Sequence, residues 1–305
     1  MQLDVVTGAF SYSGAAIARD LRSAGHRVRT LTGHAAATDA AADAGTDIEV
    51  RPLDFTDADE LARSLDGAHT LYNTYWVRFD RGQNTHARAV ANSRVLFDAA
   101  KRAGVQRIVH TSITHADLNS PYPYFAGKAQ VEQHLQSTAI PYAILRPAIL
   151  FGGDGVLINN IAWLLRHLPV FAVGGTGEYH IRPIHVDDLA RLCVQAAGAT
   201  GSEVIDAVGP DRPAFGDLVR FIRDAVGSRS RVINLPGSLI PPAARLLGLA
   251  LRDTLLTAEE FEAMADGLAD TDGPATGETS LTQWITDHKG TLGRTYANEL
   301  TRHFR

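Results

Sequence analysis

The stretch Leu3-Asp4-Val5-Val6-Thr7-Gly8-Ala9-Phe10-Ser11-Tyr12-Ser13-Gly14 decides the fold. Its first five residues read as a short apolar strand, and the next seven as a turn of mostly small residues. Residues 15–24 follow with helical periodicity, Ile17 and Leu21 on one face and Arg19 and Arg22 off it. Gly25 stands where a helix end favours a left-handed residue, and residues 26–31 read as the next strand. A tight turn at the head of a helix aims free backbone N–H groups and the positive end of the helix dipole at an anion, above all a pyrophosphate. A dinucleotide site is the first expectation. The plainer alternative is a strand-to-helix turn in an α/β protein that binds no nucleotide.

The glycine spacing departs from the usual dinucleotide turn. Gly8 and Gly14 bracket Ser11, giving Gly-x-x-Ser-x-x-Gly where a middle glycine is more common. A middle glycine lets the backbone approach the phosphates. A serine there either crowds them or offers its hydroxyl, and the second is the expectation.

Outward from this unit, strand and helix keep alternating. Residues 48–53 form a strand running into Asp54, and 57–65 a helix capped by Thr56 or Asp57. Strands at 68–73, 106–111 and 142–145 alternate with helices at 83–103 and 124–136. Alternation forces parallel pairing through right-handed crossovers. The fold class is α/β: a doubly wound parallel Rossmann sheet with a smaller C-terminal α+β substrate lobe. Beyond Pro147 the rhythm breaks. Residues 1–150 are assigned to the first domain, with 182–200 returning to it as a strand and a helix capped by Asp187. Residues 151–181 and 201–305, including a strand at 204–208, are assigned to the substrate lobe.

Composition narrows the function classes. The 305 residues are 45% hydrophobic and carry a net charge of −5 with no basic block, which argues against nucleic acid as a partner. No apolar run approaches the ~18 residues of a membrane span, and no signal pattern opens the chain. A cytoplasmic protein with no membrane partner is expected. The single Cys193 lies in an apolar helical pattern and reads as core, and the twelve histidines lack ligand spacing, so no metal is assigned. Oligomeric state is left open, with a homodimer as one option.

Lysine occurs only at positions 101, 128 and 289, so each lysine is informative. Tyr124-Phe125-Ala126-Gly127-Lys128 places a tyrosine and a lysine one helical turn apart on one face. An ammonium beside a phenol favours phenolate and draws the phenol towards working pH, as exchange of a proton with a carbonyl or alcohol requires. The plainer reading is a solvated pair. After the strand at 68–73, Thr74 leads into Tyr75, Trp76 and Arg78 at the carboxyl edge, where open α/β sheets bind ligands. These three either line a substrate pocket or pack the loop down.

From residue 1 to about 199 the chain resembles the extended, atypical branch of the short-chain dehydrogenase/reductase superfamily, and within it the NmrA-like NAD(P)-binding proteins. The resemblance rests on Thr7-Gly8…Gly14, Asp54, Tyr124…Lys128, Leu145-Arg146-Pro147 with Phe151-Gly152, and Pro183-Ile184-His185-Val186-Asp187-Asp188-Leu189-Ala190. It implies that Asp54 holds the adenine amine, Lys128 the nicotinamide ribose, and that Pro147 lies by the nicotinamide. It also implies that Tyr124 is the proton donor or acceptor, assisted by a hydroxyl just past the fifth strand, either Ser112 or Thr114. With these go Thr7, Gly8, Phe10, Ser11, Tyr12 and Gly14 of the turn, Thr32 and His34 after the second strand, and Asn73 and Thr74 after the fourth.

The cofactor expectation is NADP(H) over NAD(H). Thr32-Gly33-His34 offers no carboxylate for a ribose diol, and Arg29 and Arg51 lie nearby. The expected activity is hydride transfer between nicotinamide and a small carbonyl or alcohol. Epimerase or dehydratase chemistry uses the same residues, and a non-catalytic redox sensor or scaffold is the alternative of another class.

Overall fold

The computed structural model describes residues 2–33 and 47–300. The chain divides into two units, Met1–Pro147 with Val186–Ala207, and Ala148–His185 with Val208–Arg305.

In the first unit, β1 (Leu3–Thr7), β2 (Arg27–Thr32), β3 (Glu49–Pro52), β4 (Thr70–Asn73), β5 (Arg107–Thr111) and β6 (Tyr142–Pro147) share a sheet with a strand from the returning segment. That strand, β10 (Glu203–Ala207), pairs with β6, so the strand expected in the second lobe belongs to this sheet instead. The order is β10-β6-β5-β4-β1-β2-β3, parallel throughout. It reverses direction beside β1, the place where such sheets form a crevice at their carboxyl edge. Val5, Val6, Leu71, Ile108, Val109 and residues 143–145 are all at most 1% exposed, the double-sided burial that parallel strands covered by helices require.

The helix ends follow from short-range chemistry. In α1 (Tyr12–Ser23) the buried stripe is Gly14, Ala16, Ile17, Ala18 and Leu21. It stops at Gly25, φ +81°, where the His26 amide donates to the Leu21 carbonyl and the Gly25 amide to that of Arg22. Asp57 caps α2 (Ala58–Ser64), accepting the Asp59 and Glu60 amides, while Thr56 binds Asp54 instead. The long helix α3 (His86–Arg102) starts three residues later than the apolar pattern suggests, because Thr85 caps it and Asp80 accepts the His86 amide. α4 (Pro123–Ser137) carries the Tyr124–Lys128 pair.

The second unit contains two short parallel pairs, β7 (Ile149–Phe151) with β9 (Pro183–His185) and β8 (Val170–Gly174) with β11 (Arg231–Leu235). Around them lie α5 (Val156–His167), α7 (Phe215–Ala225), α8 (Ile240–Leu251), α9 (Ala258–Ala265) and α10 (Leu281–His288). Phe151, Leu165, Ile181, Leu218, Ile222, Leu281 and Ile285 form its core. β9 runs without a break into α6 (Val186–Ala197) of the first unit. Asp187 therefore sits in the first turn of α6 rather than capping it, and its carboxylate pairs with Arg19 of α1. Cys193 on α6 is fully buried.

Candidate functional site

The turn after β1 is built for close approach. Gly8 adopts φ +68° and its amide is fixed to the Leu31 carbonyl of β2. A Cβ on Gly14 would stand 2.1 Å from the Gly8 carbonyl oxygen, so residue 14 must be glycine for the turn to close. Ser11 takes a different part from the one expected. Its hydroxyl donates to the Gly8 carbonyl at 2.6 Å, the same oxygen that accepts the Ser11 amide at 2.8 Å. With its one proton engaged there, Ser11 braces the turn. No side chain caps α1, so the dipole at its head faces whatever the turn receives, with Phe10 and Tyr12 partly exposed beside it.

The carboxyl ends of β1, β4 and β5 are tied together by polar side chains. The Thr7 hydroxyl donates to Asn73 Oδ1 and accepts the amides of Thr74 and Tyr75, while Thr74 Oγ1 donates to the Thr7 carbonyl at 2.6 Å. Asn73 Nδ2 lies 3.1 Å from Nδ1 of His110 on β5. The geometry makes Nδ1 the acceptor, which leaves the proton on Nε2. Burial, and the nearby Lys128, push the His110 pKa well below its ordinary value. Nε2 is buried without a hydrogen-bond partner. Thr7, Asn73 and Thr74 thus tie the carboxyl ends of β1 and β4 together. His110 was missed by the sequence reading; the available signal is a histidine directly after the apolar pair Ile108-Val109 in a strand.

Lys128 is 3% exposed, and its Nζ donates to the Thr111 carbonyl at the end of β5, 2.9 Å away. Desolvation lowers its pKa from near 10.5 to about 7, against the opposing pull of Glu132. The Trp76 ring lies over this amine, centroid 4.6 Å from Nζ. Tyr124 meets Trp76 edge to face at 5.7 Å and His86 at 5.5 Å, and Trp76 and His86 lie parallel. Gly127 makes room: a Cβ there would come 3.1 Å from the indole. Tyr124 and Lys128 are therefore gathered around one indole. Trp76, read as either pocket lining or loop packing, packs on the amine itself, and its Nε1 is buried without a partner among the described residues.

The hydroxyl expected to assist Tyr124 is placed differently. Ser112 is 3% exposed and donates to Glu132 Oε1 at 2.5 Å, and Arg146 binds both oxygens of that carboxylate. A proton held by a buried carboxylate is not offered to a ligand, so Ser112 is corrected to a tie between β5, α4 and β6. Thr114, the other candidate, is 1% exposed, its amide fixed to the carbonyl of the buried Pro147 at the end of β6.

At the outer strands, Thr32 ends β2 with partial exposure, while His34 lies outside the described residues. Arg29 points away from that edge: it donates to the Ser64 and Asp66 carbonyls and pairs with Glu49. Arg51 pairs with Glu49 as well, so neither arginine is the free charge the sequence suggested. Asp54 is exposed, and its Oδ1 accepts the Thr56 amide and hydroxyl, which holds its carboxyl below the usual range. Oδ2 is left for another donor. Tyr75 packs on Phe55, and its hydroxyl accepts from Asn92. The Arg78 guanidinium lies over Phe79. Among the described residues no cluster could hold a metal ion.

Comparison with known proteins places this geometry. Residues 8–200 match the model of a family described as NAD(P)H-binding. The 40 kDa mitochondrial subunit of NADH-ubiquinone oxidoreductase from Neurospora crassa is 29% identical over 167 residues, 54% of this chain and 44% of that protein. Subunit 9 of the mitochondrial NADH dehydrogenase [ubiquinone] 1 alpha subcomplex from Mus musculus is 25% identical over 176 residues, 55% of this chain and 46% of that one. The chain thus spans a little under half the length of these curated relatives. Among solved structures, an NADPH-dependent quinone oxidoreductase from Escherichia coli complexed with NADPH superposes with a TM-score of 0.75 at 23% identity, covering 94% of this chain and 99% of that one. The triphenylmethane reductase of Citrobacter sp. complexed with NADP(H) gives 0.77 at 17%, covering 95% and 100%. These two show the fold. The matched span runs from the glycine turn past α6 and takes in well over half the residues, so the chain belongs to the NAD(P)H-binding family.

Proposed function

We propose that this chain is an NAD(P)-dependent oxidoreductase acting on a small carbonyl or alcohol. The observation that carries the reading is Lys128, a buried amine one turn after Tyr124 at the carboxyl edge of the sheet. Burial of a lysine costs several kcal/mol, and a solvated Tyr–Lys pair gives no reason for it. The residues fit a dinucleotide: a glycine turn too tight to admit a Cβ on residue 14, and a helix head without a side-chain cap. Gly8 and Gly14 would take the pyrophosphate, Asp54 Oδ2 the adenine amine, Lys128 the ribose, and Pro147 the ring edge. When bound, the nicotinamide supplies or accepts hydride. Tyr124 would hold the exchanged proton at its phenol oxygen, with Thr114 placing the substrate oxygen. Lys128 would favour phenolate while it is charged, and Trp76 would keep water from the amine.

The same groups serve epimerase or dehydratase chemistry. A second reading, a dinucleotide-binding sensor or scaffold without turnover, has its own support: Trp76 covers the amine, and Ser112 is held by Glu132. Assay of the wild type with NADPH and NADH against quinones, aldehydes and ketones tests the proposal. Oxidation of cofactor above the no-substrate rate is expected, and saturable cofactor binding with no turnover on any substrate would favour the second reading.

For the cofactor we propose NADP(H) over NAD(H). The support is now the missing carboxylate at Thr32-Gly33 alone, since Arg29 and Arg51 are engaged by Glu49. The preference should be modest, about tenfold or less, and tighter NADH than NADPH in a binding titration would reverse it.

A further inference from the structure

The second unit carries a surface that the dinucleotide site does not use. Eight large hydrophobic side chains are exposed among the described residues, and five of them, Val170, Ile233, Leu239, Leu246 and Leu249, lie on β8, β11, α8 and the turn leading into α8. The pairing of Val170 with Arg231 and Ala172 with Ile233 sets these four residues on one face of the two-stranded sheet. Gly174 shares that face, and a Cβ there would meet Ile240 and Phe261. The start of α8 therefore covers the far end of the same face, and the exposed rows of the sheet continue onto the helix. On α8 the helical period puts Pro242, Ala243, Leu246, Leu249 and Ala250 on one side, all exposed, whereas Ile240 and Gly248 are buried on the other.

The segment that carries most of this surface, residues 225–252, has charge of one sign, while α9 beside α8 carries Glu259, Glu260 and Glu262. No Asp or Glu occurs from Ala225 to Arg252, although acids number 34 in 305 residues overall. The same segment carries Arg229, Arg231, Arg245 and Arg252, all exposed. Arg245 and Arg252, seven residues apart, border the apolar side of α8.

We propose that this face is a docking surface for an anionic phospholipid leaflet. A second copy of the chain fits poorly, because an isologous contact sets a patch against itself and this one would oppose arginine to arginine. A peptide ligand calls for a groove. Leu246 and Leu249 stand proud at 72% and 71% exposure. Proud leucines flanked by arginine suit insertion at the acyl boundary with phosphates beside them. The lack of a spanning helix among the described residues has no bearing on such contact. The proposal is independent of the dinucleotide reading.

Flotation of the full chain with vesicles tests it, using phosphatidylcholine alone and with about a third phosphatidylglycerol. The wild type should float with the anionic vesicles, less at raised salt, and weakly with the neutral ones. Leu246→Glu with Leu249→Glu should abolish flotation. Arg245→Gln with Arg252→Gln should weaken it by about tenfold or more on anionic vesicles only. At these exposures the variants should keep the wild-type melting temperature, read in parallel. Absence of flotation with anionic vesicles overturns the proposal, as does flotation unchanged in the leucine variant. A wild-type dimer by sedimentation that fails to float, and that Leu246→Glu with Leu249→Glu makes monomeric, would assign the face to a second copy instead.

Discussion

The glycine turn and the Tyr124–Lys128 slot sit at the same edge of one sheet and are prepared in opposite ways. The turn is set by backbone. Gly8 in the left-handed region, Gly14 against a carbonyl and the Ser11 brace fix the turn through its own backbone. The slot is set by side chains, an indole packed on a buried amine and a phenol edge-on to the indole. On the proposed reading, the phosphate's site would be set by the backbone, whereas a ribose at Lys128 would share space with Trp76. The part of the site that would take the pyrophosphate is thus shaped by backbone, and the part that would hold the reacting groups is shaped by side-chain packing.

Breaking the turn should have the largest effect. In Gly14→Ala the new Cβ meets a backbone carbonyl that cannot yield, so dinucleotide affinity should fall at least ~100-fold and stability by about 2–4 kcal/mol. Titration and thermal melting read both. Near-wild-type affinity would show that the turn does not hold the cofactor.

Lys128→Met sharpens the other side of the comparison. In the unfolded chain Lys128 titrates near 10.5 and in the folded chain at about 7. Between those values the unfolded chain holds the extra proton, so this residue makes stability rise as pH climbs from about 7 to about 10. Below 7 the burial cost is present in full. Lys128→Met should therefore be the more stable protein at pH 6, with the advantage disappearing towards pH 10, while dinucleotide affinity drops by about tenfold through loss of the ribose contact. A melting difference independent of pH would contradict the buried, titrating amine.

Ser11→Gly should do least. It removes the hydroxyl bond to Gly8 and loosens the unfolded chain, at about 1 kcal/mol of stability. Cofactor affinity should change by no more than about fivefold, because the hydroxyl's proton is engaged within the turn. A larger loss of affinity than of stability would mark the serine as a phosphate donor.

What was legible in the sequence follows the same division. The alternating strands, the Schellman end at Gly25 and the need for glycine at 14 depend on neighbours within a few residues, and they could be read by eye. Ser112 could not be separated from Thr114, because the decision comes from Glu132 and Arg146, 20 and 34 positions away. Arg29 looked like a charge near a phosphate, but its position mid-strand delivers it to the Ser64 and Asp66 carbonyls. Trp76 read equally well as pocket or packing, and nothing local showed that Gly127 opens a place for it beside Lys128. Asp187 fell one residue inside a helix whose start is fixed by the preceding strand.

Comparison of Tyr124→Phe with the wild type, measuring cofactor dissociation constant and turnover on the same preparation, tests the central claim most directly. The substitution keeps the ring that packs on Trp76 and His86 and deletes only the oxygen. If Tyr124 carries the exchanged proton, dinucleotide affinity should stay within about twofold of the wild type while turnover falls by at least the ~100-fold that a positioned general acid contributes. Turnover equal to the wild type at unchanged affinity would contradict the account, and would leave Tyr124 as an aromatic wall of the slot.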